Sequence, residues 1–252
     1  MIELLLLSFV QGVAEFLPIS SSSHLILIST YFNFENQSLS LDVSLHIGSF
    51  IAVIVYFYKD LINFYENKTL FLKILLSSIP VIVTGYILIK TGQIDKIRNL
   101  ETIAWTTLIF GILLYISDKF KLQKSIKEDF SFKSAIFIGI LQILSLFPGV
   151  SRSGIAITAA RFLDFKRTDA GKISFLISIP ILGAVSAYGF LNIFLSEDKN
   201  FTQINLLAIL LSFIFSFLTI KFFLKYISRF NLSIFVIYRI LIGVLLLKLA
   251  YL

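Results

Sequence analysis

The sequence predicts an all-α polytopic membrane protein with about six transmembrane helices and two re-entrant helical hairpins arranged as an inverted repeat. First, the 252 residues are 57% hydrophobic and 15% charged, whereas about a quarter of a soluble domain is charged. Second, the apolar residues form long continuous segments. Third, two of these segments are interrupted by a proline with polar neighbours. Residues 1–252 are therefore interpreted as a single integral membrane domain.

Six apolar segments approach the length of about 20 residues that a helix needs to cross the hydrocarbon of a bilayer. They cover residues 41–58, 70–90, 102–117, 172–193, 204–226 and 233–251. Each is predicted to be one transmembrane helix.

The two interrupted apolar regions cover residues 2–32 and 132–161. Each half of such a region is too short to span the bilayer, so each region is predicted to be a re-entrant hairpin. Irregular backbone at that depth is tolerated only where protein buries it or where it lines a cavity. The tips of the hairpins are thus the expected place for a functional site.

The order of segments predicts two halves, residues 1–117 and 132–252, joined by a polar loop at residues 118–131. An odd number of spans in each half would invert the second half, as in many transporters. The sequence Phe16-Leu-Pro-Ile-Ser-Ser aligns with Leu146-Phe-Pro-Gly-Val-Ser, and Gln11 and Gln142 lie upstream of the two prolines.

Charge predicts the orientation. Under this topology most of the 22 lysines and arginines lie on one side, which should be cytoplasmic by the positive-inside rule. The first hairpin would then enter from the outer face and the second from the cytoplasm. The net charge of +7 is scattered between apolar segments, so no nucleic-acid partner is expected.

Composition excludes several kinds of site. The chain has no cysteine, which rules out disulfides and thiolate ligands, and its two histidines argue against a zinc site built on several imidazoles. Glu3 stands where a signal peptide would carry positive charge, so no cleavable signal is expected.

The first break carries residues suited to an ion or a phosphate. Gln11 and Glu15 share a helix face at a spacing of four residues, and Pro18 ends that helix. Residues 20–23 are all serine and precede His24 in the next apolar stretch. Serine is a preferred helix cap, and the start of a helix suits an anion. A carboxylate or imidazole inside a membrane is a functional-site hypothesis by default.

The second break offers an anion-binding set of two glycines, two serines and one arginine: Gly149, Gly154, Ser151, Ser153 and Arg152. Glycines let the backbone approach a ligand, and the planar guanidinium suits phosphate oxygens. Close helix packing is the structural alternative for the glycines. Arg152 needs a partner at depth, either Glu15 or an anionic substrate.

Three further polar residues lie in predicted spans. His46 is interpreted as a packed or interhelical hydrogen-bonding residue rather than a catalyst, and Asp42 as an interfacial residue. Arg239 is expected to neutralise a buried acid, cap carbonyls or assist phosphate binding.

Two motifs, Glu15-Phe-Leu-Pro-Ile-Ser-Ser-Ser-Ser-His24 and Pro148-Gly-Val-Ser-Arg-Ser-Gly154, resemble the signatures of the undecaprenyl-diphosphate phosphatase family of the bacitracin-resistance type. The likeness extends over the whole chain, including residues 41–49 and 238–239. It implies hydrolysis of undecaprenyl diphosphate to the monophosphate and inorganic phosphate, which recycles the lipid carrier for peptidoglycan synthesis. It also implies a bacterial inner-membrane enzyme with a site open to the periplasmic or outer face, dependence on Mg²⁺ or another divalent cation, and a homodimer as one option.

The resemblance assigns roles residue by residue. The expected catalytic residues are Glu15, Ser21, His24 and Arg152. The expected substrate-binding residues are Gln11, Ser20, Ser22, Gly149, Ser151, Ser153 and Gly154, and the expected metal ligands are Glu15 and Gln11. Gln11 stands where many members have a glutamate, and Ser22-Ser23 replace the more usual Thr-Gly.

Two questions stay open at the level of sequence. The attacking group is either Ser21 activated by His24, or a water positioned by His24 and Glu15. A flippase or anion transporter using the same hairpin site is the rival function. Glu15 together with His24 favours the enzyme, because a transporter needs no proton-transfer pair.

Overall fold

The computed structural model describes residues 1–32, 39–120, 123–195 and 203–252, and every regular element in these ranges is helical. The α-helices are α1 (Ile2–Ala14), α2 (Ser21–Phe32), α3 (Leu39–Tyr56), α4 (Tyr58–Glu66), α5 (Lys68–Lys90), α6 (Gln93–Lys96), α7 (Leu100–Asp118), α8 (Ile126–Asp129), α9 (Phe132–Gln142), α10 (Arg152–Phe162), α11 (Arg167–Leu195), α12 (Gln203–Ile227) and α13 (Ser233–Tyr251). A 3-10 turn, Ile143–Leu146, follows α9.

Five helices are long and apolar enough to cross a membrane, namely α5, α7, α11, α12 and α13. A sixth span is formed if α3 and α4 are taken together. The pair is also long and apolar enough to cross a membrane, with a bend of 70° between the two helices. All six segments predicted from the sequence therefore correspond to helices. Hydropathy did not indicate the bend after Tyr56.

The two interrupted regions fold as short helices on either side of a break. The first consists of α1 and α2, and the second of α9 with its 3-10 turn and α10. At 1.5 Å per residue, the 13 residues of α1 cover about 20 Å of the roughly 30 Å hydrocarbon core. None of these helices spans the core alone, as the sequence predicts.

The short helices of the two broken regions pack against the long helices. The α3 helix packs against α11 and α12, α1 packs against α12, α9 packs against α5, and α7 packs against α13. Close approaches depend on glycine: a Cβ on Gly48 would lie 2.4 Å from the Ile209 carbonyl oxygen. Large apolar side chains such as Leu241 and Phe222 face outward, where a lipid environment would cover them.

Candidate functional site

The first break turns the chain between α1 and α2. Helix α1 ends at Ala14, and Glu15 caps it with a backbone N–H bond to the Gln11 carbonyl. Pro18 lies inside the turn, and Ser20 has a φ of 75° immediately before α2 begins. The prediction that the proline ends one helix and that the serines begin the next is confirmed.

The second break has a similar left-handed backbone. Gly149 has a φ of 95°, and a Cβ there would lie 2.0 Å from the Thr106 hydroxyl oxygen, so only glycine fits. Ser151 has a φ of 69° and caps α10, since its Oγ accepts the Gly154 N–H at 3.1 Å. The capping serine directs the first turn of α10, with Arg152 at its start, towards the first break.

The two breaks bind each other directly. The Gly149 N–H donates to Ser20 Oγ at 3.2 Å, and Ser153 Oγ donates to the Leu17 carbonyl at 2.8 Å. These bonds satisfy backbone groups that no helix can satisfy, as buried irregular backbone requires. In this structure Gly149 and Ser153 hold the two breaks together.

Arg239, which has no exposed surface, lies behind both breaks. Its Nη1 donates to the carbonyls of Pro18 and Val150 at 3.1 and 3.0 Å. Its Nη2 donates to the Gly149 carbonyl at 2.8 Å, and its Nε to the Thr107 carbonyl at 3.2 Å. Of the roles considered from the sequence, the structure supports the capping of carbonyls.

A cluster of three side chains surrounds the Glu15 carboxylate. Arg152 Nη2 donates to Oε1 at 2.9 Å, while Ser21 Oγ and Gln11 Nε2 donate to Oε2 at 2.6 and 3.1 Å. The expected partnership of Arg152 with Glu15 is therefore formed. Arg152 Nη1 and Gln11 Oε1 are buried and have no hydrogen-bond partner among the described residues.

This cluster borders a cavity of about 180 Å³. Six of the residues predicted for the site line it: Glu15, Ser20, Ser21, Ser22, Ser151 and Arg152. The remaining wall consists of Ala14, His46, Val81, Ser145, Leu146, Ile181, Leu182 and Val185. The cavity wall thus combines one carboxylate, one guanidinium, several hydroxyls and one imidazole with side chains that are otherwise largely apolar.

The other predicted site residues lie outside the cavity wall. Gln11 is fully buried behind Glu15, and the Gly154 N–H binds the capping Ser151. His24 binds the Ser20 carbonyl through Nδ1 at 2.6 Å and the Tyr238 hydroxyl through Nε2.

Ser21, in the cavity wall, donates to Glu15, and no hydrogen bond joins it to His24 among the described residues. The roles assigned to these residues stay predictions.

His46 lines the cavity, whereas the sequence analysis interpreted it as a packed or interhelical hydrogen-bonding residue. It lies on α3 and binds the Asp42 carbonyl through Nδ1 at 2.8 Å. The available signal was the segment 41–49, which contributed to the family resemblance, although nothing in it indicated which side of α3 faces the breaks.

A larger cavity, of about 560 Å³, includes Asp118 at the end of α7. Asp118 lies about 18 Å along that helix from Thr106, which contacts the second break. It accepts from Arg167 Nε at 2.6 Å and from the Leu232 N–H at 2.9 Å, and lies 3.5 Å from Arg161. These bonds tie the end of α7 to the start of α11 and the start of α13, which is a structural role.

Comparison with known proteins agrees with the geometry. Residues 4–245 match the family described as bacitracin resistance protein BacA. A Pelagibacter ubique protein named undecaprenyl-diphosphatase is 47% identical over 251 residues, covering 99% of this chain and 98% of the relative. Proteins of the same name from Jannaschia and Saccharophagus degradans are 37% identical over 262 residues and 38% identical over 249 residues. These alignments cover 98% of each chain for Jannaschia, and 94% of this chain and 93% of the relative for Saccharophagus. The chain belongs to the bacitracin resistance protein BacA family.

Proposed function

We propose that this protein is a membrane phosphatase that hydrolyses undecaprenyl diphosphate to undecaprenyl phosphate and inorganic phosphate. The relatives that carry the name undecaprenyl-diphosphatase match this chain over nearly its whole length. The reaction returns the lipid carrier to peptidoglycan and envelope synthesis in the bacterial inner membrane. Bacitracin resistance is a property of the family to which the chain belongs.

The observation that carries the proposal is the free Nη1 of Arg152. Nη2 of the same guanidinium is held by Glu15, whereas Nη1 is buried without a partner among the described residues, in a side chain that lines the cavity. A guanidinium fixed on one side by a carboxylate presents its remaining N–H groups in a set direction. An anionic diphosphate in the cavity supplies the missing acceptors.

The cavity residues have different roles in the proposed hydrolysis. Arg152 and the hydroxyl of Ser22 bind the terminal phosphate, and charge that develops on its oxygens is stabilised by the guanidinium. Glu15 orients both Arg152 and Ser21 through its two oxygens. Since Ser21 donates to Glu15, the dyad of Ser21 with His24 is not formed, and a water is the favoured attacking group.

Magnesium or another divalent cation fits this site through two oxygen ligands, Glu15 and Gln11. The Gln11 Oε1 is a buried acceptor without a partner among the described residues, and it lies beside the carboxylate that Nε2 of the same side chain binds. No group of three or more histidine, aspartate or glutamate side chains that could hold a metal ion occurs within the ranges that the structure describes. The protein would therefore hold the ion with few ligands, as is common for Mg²⁺ bound with substrate phosphates. A bound ion would neutralise part of the phosphate charge.

The proposed topology has two re-entrant hairpins in an inverted repeat, and the packing supports it. The α1 helix packs on α12 as α9 packs on α5, and α12 packs on α3 as α5 packs on α11. Gly12 of α1 meets the backbone of Ser216, and Gly139 of α9 meets the backbone of Ser77. Under the positive-inside orientation the cavity opens to the outer face. A homodimer remains a prediction from the family resemblance.

The experiment is phosphate release from undecaprenyl diphosphate or its C15 analogue by purified protein in detergent, with Mg²⁺ and with EDTA. Metal-dependent release by the wild type, lost in Glu15→Ala and in Arg152→Ala, is expected. Gel filtration and thermal unfolding of each variant establish that it is folded. No release from folded wild type would overturn the proposal and favour the transporter instead.

A further inference from the structure

The two histidines of the chain have the same local geometry and different surroundings. In each, Nδ1 binds the backbone carbonyl four residues earlier, at 2.6 Å for His24 and 2.8 Å for His46. A carbonyl oxygen only accepts, so Nδ1 carries the proton and the basic lone pair is on Nε2. What faces Nε2 therefore decides which imidazole can take a proton from a reacting group.

The Nε2 of His24 is already engaged. It binds the hydroxyl of Tyr238 on α13, and the two rings stack with their centroids 5.8 Å apart and their planes 12° from parallel. The phenol donates, because the lone pair of Nε2 is the acceptor in this tautomer. His24 is also not part of the cavity wall.

The Nε2 of His46 is available. His46 lines the same cavity as Glu15, Ser21 and Arg152, and its side chain is partly exposed there. No hydrogen bond reaches its Nε2 from any residue in the described ranges.

The Glu15 carboxylate is already engaged by other side chains of the site. It takes three donated hydrogen bonds, from Arg152, Ser21 and Gln11, one of them from a positive charge. Both of its oxygens are therefore held within the protein. The cavity therefore needs a different proton acceptor, and His46 is the imidazole present in its wall.

We propose that His46 is the catalytic base, acting through Nε2, an inference that rests on the proposed phosphatase activity. A water lies between Nε2 and the terminal phosphorus of the diphosphate held by Arg152. As the water oxygen bonds to phosphorus, its proton moves to Nε2, and the bridging P–O bond breaks with its electron pair on the departing monophosphate. The imidazolium then returns the proton to a product phosphate or to solvent, which restores the base.

Substitution by asparagine tests this role while keeping the helix contact. The amide nitrogen of His46→Asn can still donate to the Asp42 carbonyl, but nothing replaces Nε2. Because a general base contributes about 10²- to 10⁴-fold, kcat should fall at least about 100-fold with little change in the melting temperature. Thr91→Ala, which removes an exposed hydroxyl bond to the carbonyl of Ile87, is the control and should match the wild type.

Chemical rescue separates a base from a structural residue. In His46→Ala, added imidazole should restore phosphate release in proportion to its concentration, since the cavity left by the ring admits it. A kcat of His46→Asn within about threefold of the wild type would overturn the assignment. So would a failure of imidazole to rescue folded His46→Ala.

If the variants do not fold, the wild-type chain provides the test. Diethyl pyrocarbonate modifies a free imidazole nitrogen, and peptide mass spectrometry distinguishes the two histidines. His46 should react faster than His24, and inorganic pyrophosphate should protect it. Faster reaction of His24, or no protection of His46, would refute the proposal. Wild-type protein that releases no phosphate would instead refute the phosphatase activity itself.

Discussion

Glu15 and Arg152 form an ion pair with a distance of 2.9 Å between Oε1 and Nη2, although 137 residues separate them in the chain. Both side chains are largely buried, with 7% and 12% of their surface exposed. Each side chain neutralises the charge of the other, and either charge would be costly at this depth without a partner. The pair also joins the two breaks, so the same contact assembles the site and defines its electrostatics.

The first prediction concerns the shape of the Arg152 cation. Arg152→Lys keeps the charge, but one ammonium cannot hold Glu15 and phosphate in the fixed planar arrangement of a guanidinium. We expect kcat/KM for the C15 diphosphate to fall about 100-fold. Arg229→Lys, at an exposed position, should retain full activity. Equal activity of the two variants would mean that charge alone suffices.

The second prediction concerns the attacking group. Because Ser21 Oγ donates to Glu15 at 2.6 Å, Ser21→Ala removes a hydrogen bond to a charged group and should lower kcat about tenfold. No phosphoserine should be trapped when the wild-type reaction is stopped with acid. A phosphorylated Ser21 in the mass spectrum, together with complete loss of activity in Ser21→Ala, would identify the serine as the nucleophile.

The third prediction tests the metal ligands. Gln11→Glu places a second carboxylate beside Glu15, where the buried Gln11 Oε1 has no partner among the described residues. The Mg²⁺ concentration for half-maximal phosphate release should fall roughly tenfold, because Mg²⁺ is held mainly by carboxylate charge. Gln11→Ala should raise it. An unchanged requirement in both variants would remove Gln11 from the metal site.

The fourth prediction concerns stability away from the cavity. Asp118→Ala leaves Arg161, which is 3% exposed, and Arg167 without their carboxylate. We expect the free energy of unfolding to fall by about 3 kcal/mol, with kcat of the remaining folded protein unchanged. Lys124→Ala breaks an exposed pair with Asp164 and should cost less than about 1 kcal/mol. Similar melting temperatures for the two variants would contradict this account.

The fifth prediction concerns the packing of α3 on α12. A Cβ on Gly48 would meet the backbone of Ile209 and Phe213 at 2.4 and 2.9 Å, so Gly48→Ala should destabilise the protein by about 1–3 kcal/mol. In Gly85→Ala the nearest atom is the end of the Leu146 side chain at 3.2 Å. That variant should be nearly as stable as the wild type in a thermal unfolding assay.

Much of the fold could be predicted because length and hydropathy act locally. The spans follow from runs of apolar residues, and the breaks follow from Pro18 and Pro148, which cannot continue a helix. The pairing of Glu15 with Arg152 followed from the cost of leaving a charge without a partner at depth. These arguments do not require knowledge of how distant helices are rotated.

The rest depends on rotation and on contacts over long distances in the chain. Whether a histidine faces the cavity depends on how α2 and α3 are turned about their axes, and Tyr238 lies 214 residues beyond His24. Composition near either histidine does not contain that information. The same holds for Arg239, whose acceptors are carbonyls on three separate segments.

The position of Arg239 near the end of the chain also constrains the order of assembly. Its guanidinium satisfies the carbonyls of Pro18, Gly149 and Val150, and all three precede it in synthesis. During translation both breaks therefore exist before the group that satisfies them does. The candidate site becomes complete only when the last helix has been inserted, so a chain that stops before α13 contains every predicted catalytic residue and still lacks a finished site.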